Sequence, residues 1–177
     1  MTNTHTHLVL GGARSGKSSF AESLTERLAQ KANKQKIYIA TATIEIEDGE
    51  MQRRVSQHQA QRDEHWHLIE EPIQLAAILS KAKAEQCMLI DCLTLWLSNC
   101  LHKDCWQTEK DAFLQALSSC PADVIMVSNE VGSGIVPMGE LSRTFVDEAG
   151  WLHQALAKQC SDVSLIIAGL QSVLKKS

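Results

Sequence analysis

No run of apolar residues in this chain approaches the roughly 18 that a membrane-spanning helix requires. The amino-terminal stretch MTNTHTHLVLGG lacks a basic segment, and its apolar run is too short for a secretory leader. Positive charge is not in excess: 17 Lys and Arg against 21 Asp and Glu give a formal net charge of -4. Sequence-independent nucleic-acid binding, which works by neutralising many phosphates, is therefore not expected. None of the six cysteines (Cys87, Cys92, Cys100, Cys105, Cys120, Cys160) stands in a C-x-x-C pair. Without a leader they are expected to be buried or free thiols in a reducing cytoplasm, packing as small apolar residues. Proline is scarce, with Pro72, Pro121 and Pro137 the only three, and there is no repeat, low-complexity tract or linker. The expectation is one domain over residues 1–177. A chain of this mass buries roughly 70% of its unfolded surface, enough for a real core.

What is present is an alternation of apolar runs and amphipathic stretches. Residues 7–10, 36–40, 87–91, 123–128 and 163–168 are β-branched-rich and lack alternation, which predicts strands buried on both faces of a parallel sheet. Helical patterns cover residues 17–31, 49–63, 73–84, 109–118 and 139–159. Strands and helices in turn make right-handed β-α-β units, hence an α/β sandwich. VGSGIVPMG, around Pro137, is the most glycine-rich segment after the first loop and follows a strand end, where ligand loops lie in such sheets.

The segment LVLGGARSGKSSF fits G-x-x-x-x-G-K-[ST] at Gly11, Gly16, Lys17 and Ser18, with an apolar strand before it and a helix after it. Glycines let consecutive N–H groups turn inward around phosphate oxygens, and the helix N-terminus adds partial positive charge. Lys17 is then placed for the β- and γ-phosphates, and the Ser18 hydroxyl for Mg²⁺. Asp91 closes the apolar run CMLI. A carboxylate ending a buried strand beside the P-loop strand is the Walker B arrangement that holds the magnesium shell. The alternative is an Asp that caps the helix from Leu93 onward.

In DGEMQRRVSQHQAQRDEHW, Glu50, Arg54, His58 and Arg62 recur every four residues, so each step turns the side chain by only about 40° and neighbours share one side of a helix. Met51 and Val55 add a narrow apolar stripe. Guanidinium groups one turn away on either side are expected to keep the His58 imidazole neutral at physiological pH. A neutral imidazole among anion-binding arginines is suited to attack phosphorus, although a solvated helix would show the same spacing. His65-Trp66-His67 offers two histidines but no third metal ligand; an edge with Trp66 packed inward is expected. His5, His7 and His102 carry no usable pattern.

Six segments in order then resemble one family along nearly the whole chain: GGARSGKS, YIATA, EM-x-x-R-x-x-x-H-x-x-x-R-x-x-x-W, DCLTLWLSN, SNEVGSGIVP and L-x-R-x-F-x-D-x-x-G. The family is the bifunctional adenosylcobinamide kinase / adenosylcobinamide-phosphate guanylyltransferase of cobalamin biosynthesis. The resemblance implies a P-loop NTPase-like three-layer α/β sandwich with a mainly parallel, RecA-like sheet. It implies two reactions: transfer of a γ-phosphate from a nucleoside triphosphate, ATP or GTP, to adenosylcobinamide, and transfer of GMP from GTP to adenosylcobinamide phosphate through a histidine–GMP adduct. The family's histidine falls on His58. Its nucleotide contacts fall on Gly11, Gly12, Ala13, Arg14, Ser15, Gly16, Lys17 and Ser18, on Ala40, Thr41 and Ala42, and on Gln59, Ala60, Gln61 and Arg62. Two acidic contacts fall on Glu70 and Asp91, either of which is suited to select guanine by accepting N1–H and N2–H, in competition with the magnesium role of Asp91. Arg54 and Arg62 are placed to neutralise triphosphate charge.

The chain departs from the family pattern twice. Gln57 stands before the nucleophile where the family also has histidine, and His153 replaces the asparagine of G-x-x-N-Q in Gly150-Trp151-Leu152-His153-Gln154. The resemblance also implies a homo-oligomer, a trimer, with Trp96, Trp106 and Trp151 candidates for interface or corrinoid contact against plain core packing. The rival readings are a P-loop small-molecule kinase, which would not need His58, and a nucleotide switch, which would need neither nucleophile nor substrate loop.

Overall fold

The architecture follows from where the apolar runs can be buried. In the computed structural model, which describes residues 4–42 and 66–177, all five expected strands form. They are β1 (Thr6–Gly11), β2 (Gln35–Ala40), β4 (Gln86–Asp91), β5 (Asp123–Asn129) and β6 (Asp162–Ile167). Two strands not read from the sequence, β3 (Trp66–Glu70) and β7 (Leu170–Lys175), complete a seven-stranded sheet of order β3-β2-β4-β5-β1-β6-β7. Every pairing is parallel except β6 with β7, a hairpin closed by Ala168 and Gly169. Both turn residues have positive φ (52° and 78°), as a two-residue primed turn demands.

The sheet is covered on both faces, giving three layers. Helix α1 (Lys17–Ala32) packs Ala21 and Ala29 against Val9, Leu89, Ile125 and Val127. The other face is covered by α2 (Leu75–Leu79), α3 (Leu93–His102), α4 (Trp106–Ser119) and α5 (Glu140–Gln159). At its centre Trp96 is fully buried, edge to face with Trp106 at 5.1 Å and tilted against Phe113 at 4.9 Å. Its Nε1–H donates to Ile73 O at 2.7 Å, and Trp106 Nε1–H donates to Glu148 Oε2 at 2.6 Å. Two of the three candidate tryptophans are thus core residues with satisfied indoles, whereas Trp151 is exposed on α5.

Several expected boundaries move. The helix expected over 73–84 is a short α2, because Glu71 Oε1 accepts from the N–H groups of Ile73 and Gln74 and holds them in a turn. The segment 93–102 is a full helix whose apolar residues surround it, so it shows no amphipathic stripe. The helix expected over 49–63 lies outside the described residues. Strand β4 is not beside β1: β5 lies between them, which is the RecA-like order. Trp66 packs inward, edge to face with Tyr38 at 5.9 Å, while His67 is exposed. Five cysteines are buried, Cys105 is partly so, and all six are free thiols.

Candidate nucleotide site

The site is built where strands deliver their carboxyl ends. Register partners place Glu70, Ala40, Asp91 and Val127 in one row across β3, β2, β4 and β5. Gly11 lies beside Asn129 at the same edge. With strands about 4.8 Å apart, Asp91 is about 10 Å from the P-loop strand and Glu70 about 19 Å. Glu70 is exposed and sits at the far end of this row from the loop.

The loop from Gly11 to Ser18 depends on glycine at two positions. A Cβ on Gly11 would run into Ser15 Oγ and come within 2.7 Å of Ile166 O. Gly16 adopts φ 91°, a left-handed conformation that side chains resist, and its Cβ position lies 3.2 Å from Gly169 Cα. The β6–β7 turn grips the loop here, with Gly169 N–H donating to Ser15 O at 2.8 Å. Gly16 is also the N-cap of α1, with no side chain capping it and no acidic residue in the first turn. The first N–H groups of this 16-residue helix thus remain available to an anion. Lys17 Nζ–H donates to Gly12 O at 3.1 Å, so the ammonium lies over the loop. Burial lowers its pKa, an effect the negative charge of Asp91 opposes. Lys17 and Asp91 therefore share one electrostatic environment despite the intervening strand.

Asp91 is not a helix cap: α3 begins at Cys92 without a side-chain cap, and Asp91 Oδ2 instead accepts from Tyr38 Oη–H at 2.9 Å. Next to it Thr41 clasps two strand ends. Its Oγ1 donates to Cys92 O at 2.8 Å and accepts Cys92 N–H at 2.9 Å, and Thr41 N–H donates to Asp91 O at 3.3 Å. Asn99 of α3 donates from Nδ2 to Thr41 O at 2.8 Å and to Pro72 O at 3.2 Å. Ala40 and Thr41 are thereby held rigidly against Asp91.

On the other side of the loop Glu130 N–H donates to Gly11 O at 3.0 Å. Burial pushes the Glu130 carboxyl up, but hydrogen bonds from Ser133 and Gly132 outweigh this and hold its pKa below the usual value. Its carboxylate accepts Gly132 N–H at 2.8 Å and Ser133 N–H at 3.3 Å, shaping the start of the glycine-rich loop. His153 of α5 sits within hydrogen-bond distance of Ser128, Nε2 to Oγ 2.7 Å. Burial lowers the His153 pKa against the pull of Glu130. Ser15 Oγ and Asn129 Oδ1 are buried without a hydrogen-bond partner among the described residues, the first within the loop and the second beside Gly11.

Gly11 to Ser18, Ala40 to Ala42, Glu70 and Asp91 thus lie along one sheet edge. Arg54, His58, Gln59, Ala60, Gln61 and Arg62 lie outside the described residues. Sequence reasoning missed Tyr38, Asn99 and Glu130 as supports of the site, although each lies inside or next to a segment that carries the resemblance.

A glycine-bridged loop from a buried parallel strand, an uncapped helix after it and a lysine folded over it define a P-loop nucleotide-binding protein of the α/β class. The family model described as cobinamide kinase / cobinamide phosphate guanyltransferase matches residues 7–174, and the chain belongs to that family of transferases. It is 53% identical over 172 residues to the bifunctional adenosylcobalamin biosynthesis protein CobP of Pseudomonas aeruginosa, covering 95% of this chain and 96% of the relative. The bifunctional adenosylcobalamin biosynthesis proteins CobU of Escherichia coli and Salmonella typhimurium are 36% and 35% identical over 185 residues, covering 95% of this chain and 98% of each relative.

Proposed function

We propose that this chain carries out both reactions with one nucleotide-binding edge, and that residues 1–177 work as a single domain. In the first reaction a nucleoside triphosphate, ATP or GTP, donates its γ-phosphate to the hydroxyl of adenosylcobinamide. The α1 N-terminus and the loop amides hold the phosphates, and Lys17 neutralises charge on the transferred group. Mg²⁺ fits the oxygen donors available, the Ser18 hydroxyl and the Asp91 carboxylate, whose charge reaches Lys17. When bound it would supply further charge neutralisation between the phosphates.

In the second reaction a nitrogen of His58 attacks the α-phosphorus of GTP. A P–N bond forms, the bond to the bridging oxygen breaks, and pyrophosphate leaves. An oxygen of adenosylcobinamide phosphate then attacks the same phosphorus, the P–N bond breaks, and adenosylcobinamide-GDP is released. Arg54 and Arg62 offset the charge that builds on the phosphates, while Gln59, Ala60 and Gln61 line the nucleotide. Glu70 is the better guanine-selecting carboxylate, because Asp91 is already engaged by Tyr38 and shares its field with Lys17.

The observation that carries this reading is the P-loop, with Lys17 folded over it and the uncapped start of α1 behind it, in a chain belonging to this family. We further infer a cytoplasmic homotrimer. Among the described residues no helix is long and apolar enough to cross a membrane. Ile135, Val136 and Met138 of the glycine-rich segment and Leu141 just after it are exposed, as is Trp151 further along α5, and are suited to a neighbouring subunit or a corrinoid.

The test is to incubate the protein with GTP labelled at the α-phosphate, denature it, and measure retained label. Acid-labile, alkali-stable label is expected on wild type and absent from His58→Ala. A wild type that binds GTP and carries no label contradicts the guanylyltransfer mechanism.

A further inference from the structure

The amino end of β1 gathers side chains that nucleotide chemistry does not use. His5 and His7 flank Thr6, and residues two apart on an extended chain face the same side. Their rings meet edge to face, with centroids 5.6 Å apart. Beside them β6 begins at Asp162, the register partner of His7. Asp162 Oδ2 lies 3.5 Å from His5 Nδ1. One ligand-capable atom from each of His5, His7 and Asp162 lies within 4.8 Å of the other two. In a tetrahedral zinc site with bonds of about 2.0–2.2 Å, ligand atoms stand roughly 3.3–3.5 Å apart. The His5–Asp162 separation already matches that edge.

The hydrogen bonding points the same way. His7 is only 5% exposed, and its Nε2 lies 2.8 Å from Ser164 Oγ, which also accepts from Gln171 Nε2 at 2.8 Å. Its other nitrogen, Nδ1, is buried without a hydrogen-bond partner among the described residues, as is Nε2 of His5. With His5 Nδ1 facing Asp162, the His7 orphan is the one a cation held there would answer, and a buried imidazole nitrogen left unbonded is costly. A ligating histidine ordinarily bonds its far nitrogen to an oxygen, as His7 does to Ser164. Phe20 of α1 packs edge to face on His7 with centroids 6.2 Å apart, an apolar wall behind the ring.

We propose that His5, His7 and Asp162 form a binding site for a borderline divalent cation such as Zn²⁺, with solvent completing the coordination. Two imidazoles and one carboxylate favour Zn²⁺ over Mg²⁺, which prefers oxygen ligands. The site joins β1 to β6 at the end opposite the P-loop. Five residue steps from His7 to Gly12 span about 16 Å, so the cation touches no nucleotide and acts by fastening the sheet.

The test uses the full-length chain, freed of any affinity tag and of nucleotide, titrated with Zn²⁺ and with Co²⁺. One Zn²⁺ per chain and a melting temperature that rises with Zn²⁺ concentration are expected. Bound Co²⁺ should show d–d absorption without a thiolate charge-transfer band, which excludes the free cysteines as ligands. His5→Gln, at a partly exposed position where folding is not at risk, and Asp162→Asn should each weaken Zn²⁺ binding about tenfold or more. His102→Gln should leave it unchanged. Absence of stoichiometric binding, a thiolate band, or unaltered affinity in both site variants would overturn the proposal.

Discussion

The two ends of β1 contrast in how they treat polar groups. At the amino end the polar groups are closed apart from His5 Nε2 and His7 Nδ1, the imidazole nitrogens of the proposed cation site. His5 N–H donates to Asp123 Oδ1 at 2.8 Å, Asp123 Oδ2 pairs with Lys34 at 2.7 Å, and Thr6 and Ser161 exchange three hydrogen bonds between 2.7 and 3.1 Å. At the carboxyl end the polar groups stay open: an uncapped helix, a lysine resting on a carbonyl, and buried oxygens on Ser15 and Asn129 without partners among the described residues. One strand is thus tied down at one end, where only the two imidazole nitrogens stay open, and left unsatisfied all around the loop at the other. A binding site needs the second condition, and the first makes it sustainable.

The contrast is broken most severely by Lys17→Ala. We expect kinase turnover to fall by about 10²–10³-fold, the scale of losing one preorganised charge at a reacting phosphate, with the melting temperature unchanged. A steady-state assay with adenosylcobinamide beside a thermal melt checks both. At the closed end the reverse is expected. Asp123→Ala strands His5 N–H and Lys34 and should cost about 1–3 kcal/mol in urea unfolding while leaving KM for nucleotide as it was. A change in KM larger than the change in stability would mean that the ends are not separable.

Thr41→Val lies between these cases, since the clasp supports the open end with closed-end chemistry. Loss of the hydroxyl leaves Cys92 N–H buried and unpaired, costing about 1–3 kcal/mol. Because Thr41 also fixes the backbone beside Asp91, nucleotide affinity should fall with it, as calorimetry would report. The smallest effect belongs to His153. Its folded pKa is lowered from 6.5, chiefly by burial, so the unfolded chain takes up the proton first. The stability it preserves is complete above about pH 6.5 and declines as pH falls below that value. His153→Asn should flatten that acid slope in denaturation curves compared at about pH 7 and about pH 5, and activity should persist.

The P-loop was legible in the sequence because its chemistry demands contiguous residues: two glycines, a lysine and a hydroxyl at fixed spacing between a strand and a helix. The five buried strands were legible as uninterrupted apolar runs. What escaped was long-range or unpatterned. The Thr41–Cys92 clasp spans 51 positions and the His7–Ser164 contact 157, and no local spacing encodes either. Helix α3 is apolar on too many sides to show a stripe, and β7 is an exposed edge strand without a buried alternation. The position of β4 two strands from β1 is topological, so Asp91 was read from its residue type and its neighbour from convention.

In the proposed mechanism one nucleotide edge serves two phosphorus atoms, with Lys17 acting on the γ-phosphate and His58 on the α-phosphate. The most direct measurement follows phosphorylation of adenosylcobinamide and guanylyl transfer to its phosphate side by side in His58→Ala. Phosphorylation near the wild-type rate with guanylyl transfer abolished is the predicted result. Guanylyl transfer that persists without His58, or phosphorylation lost together with it, would rule out this division of labour.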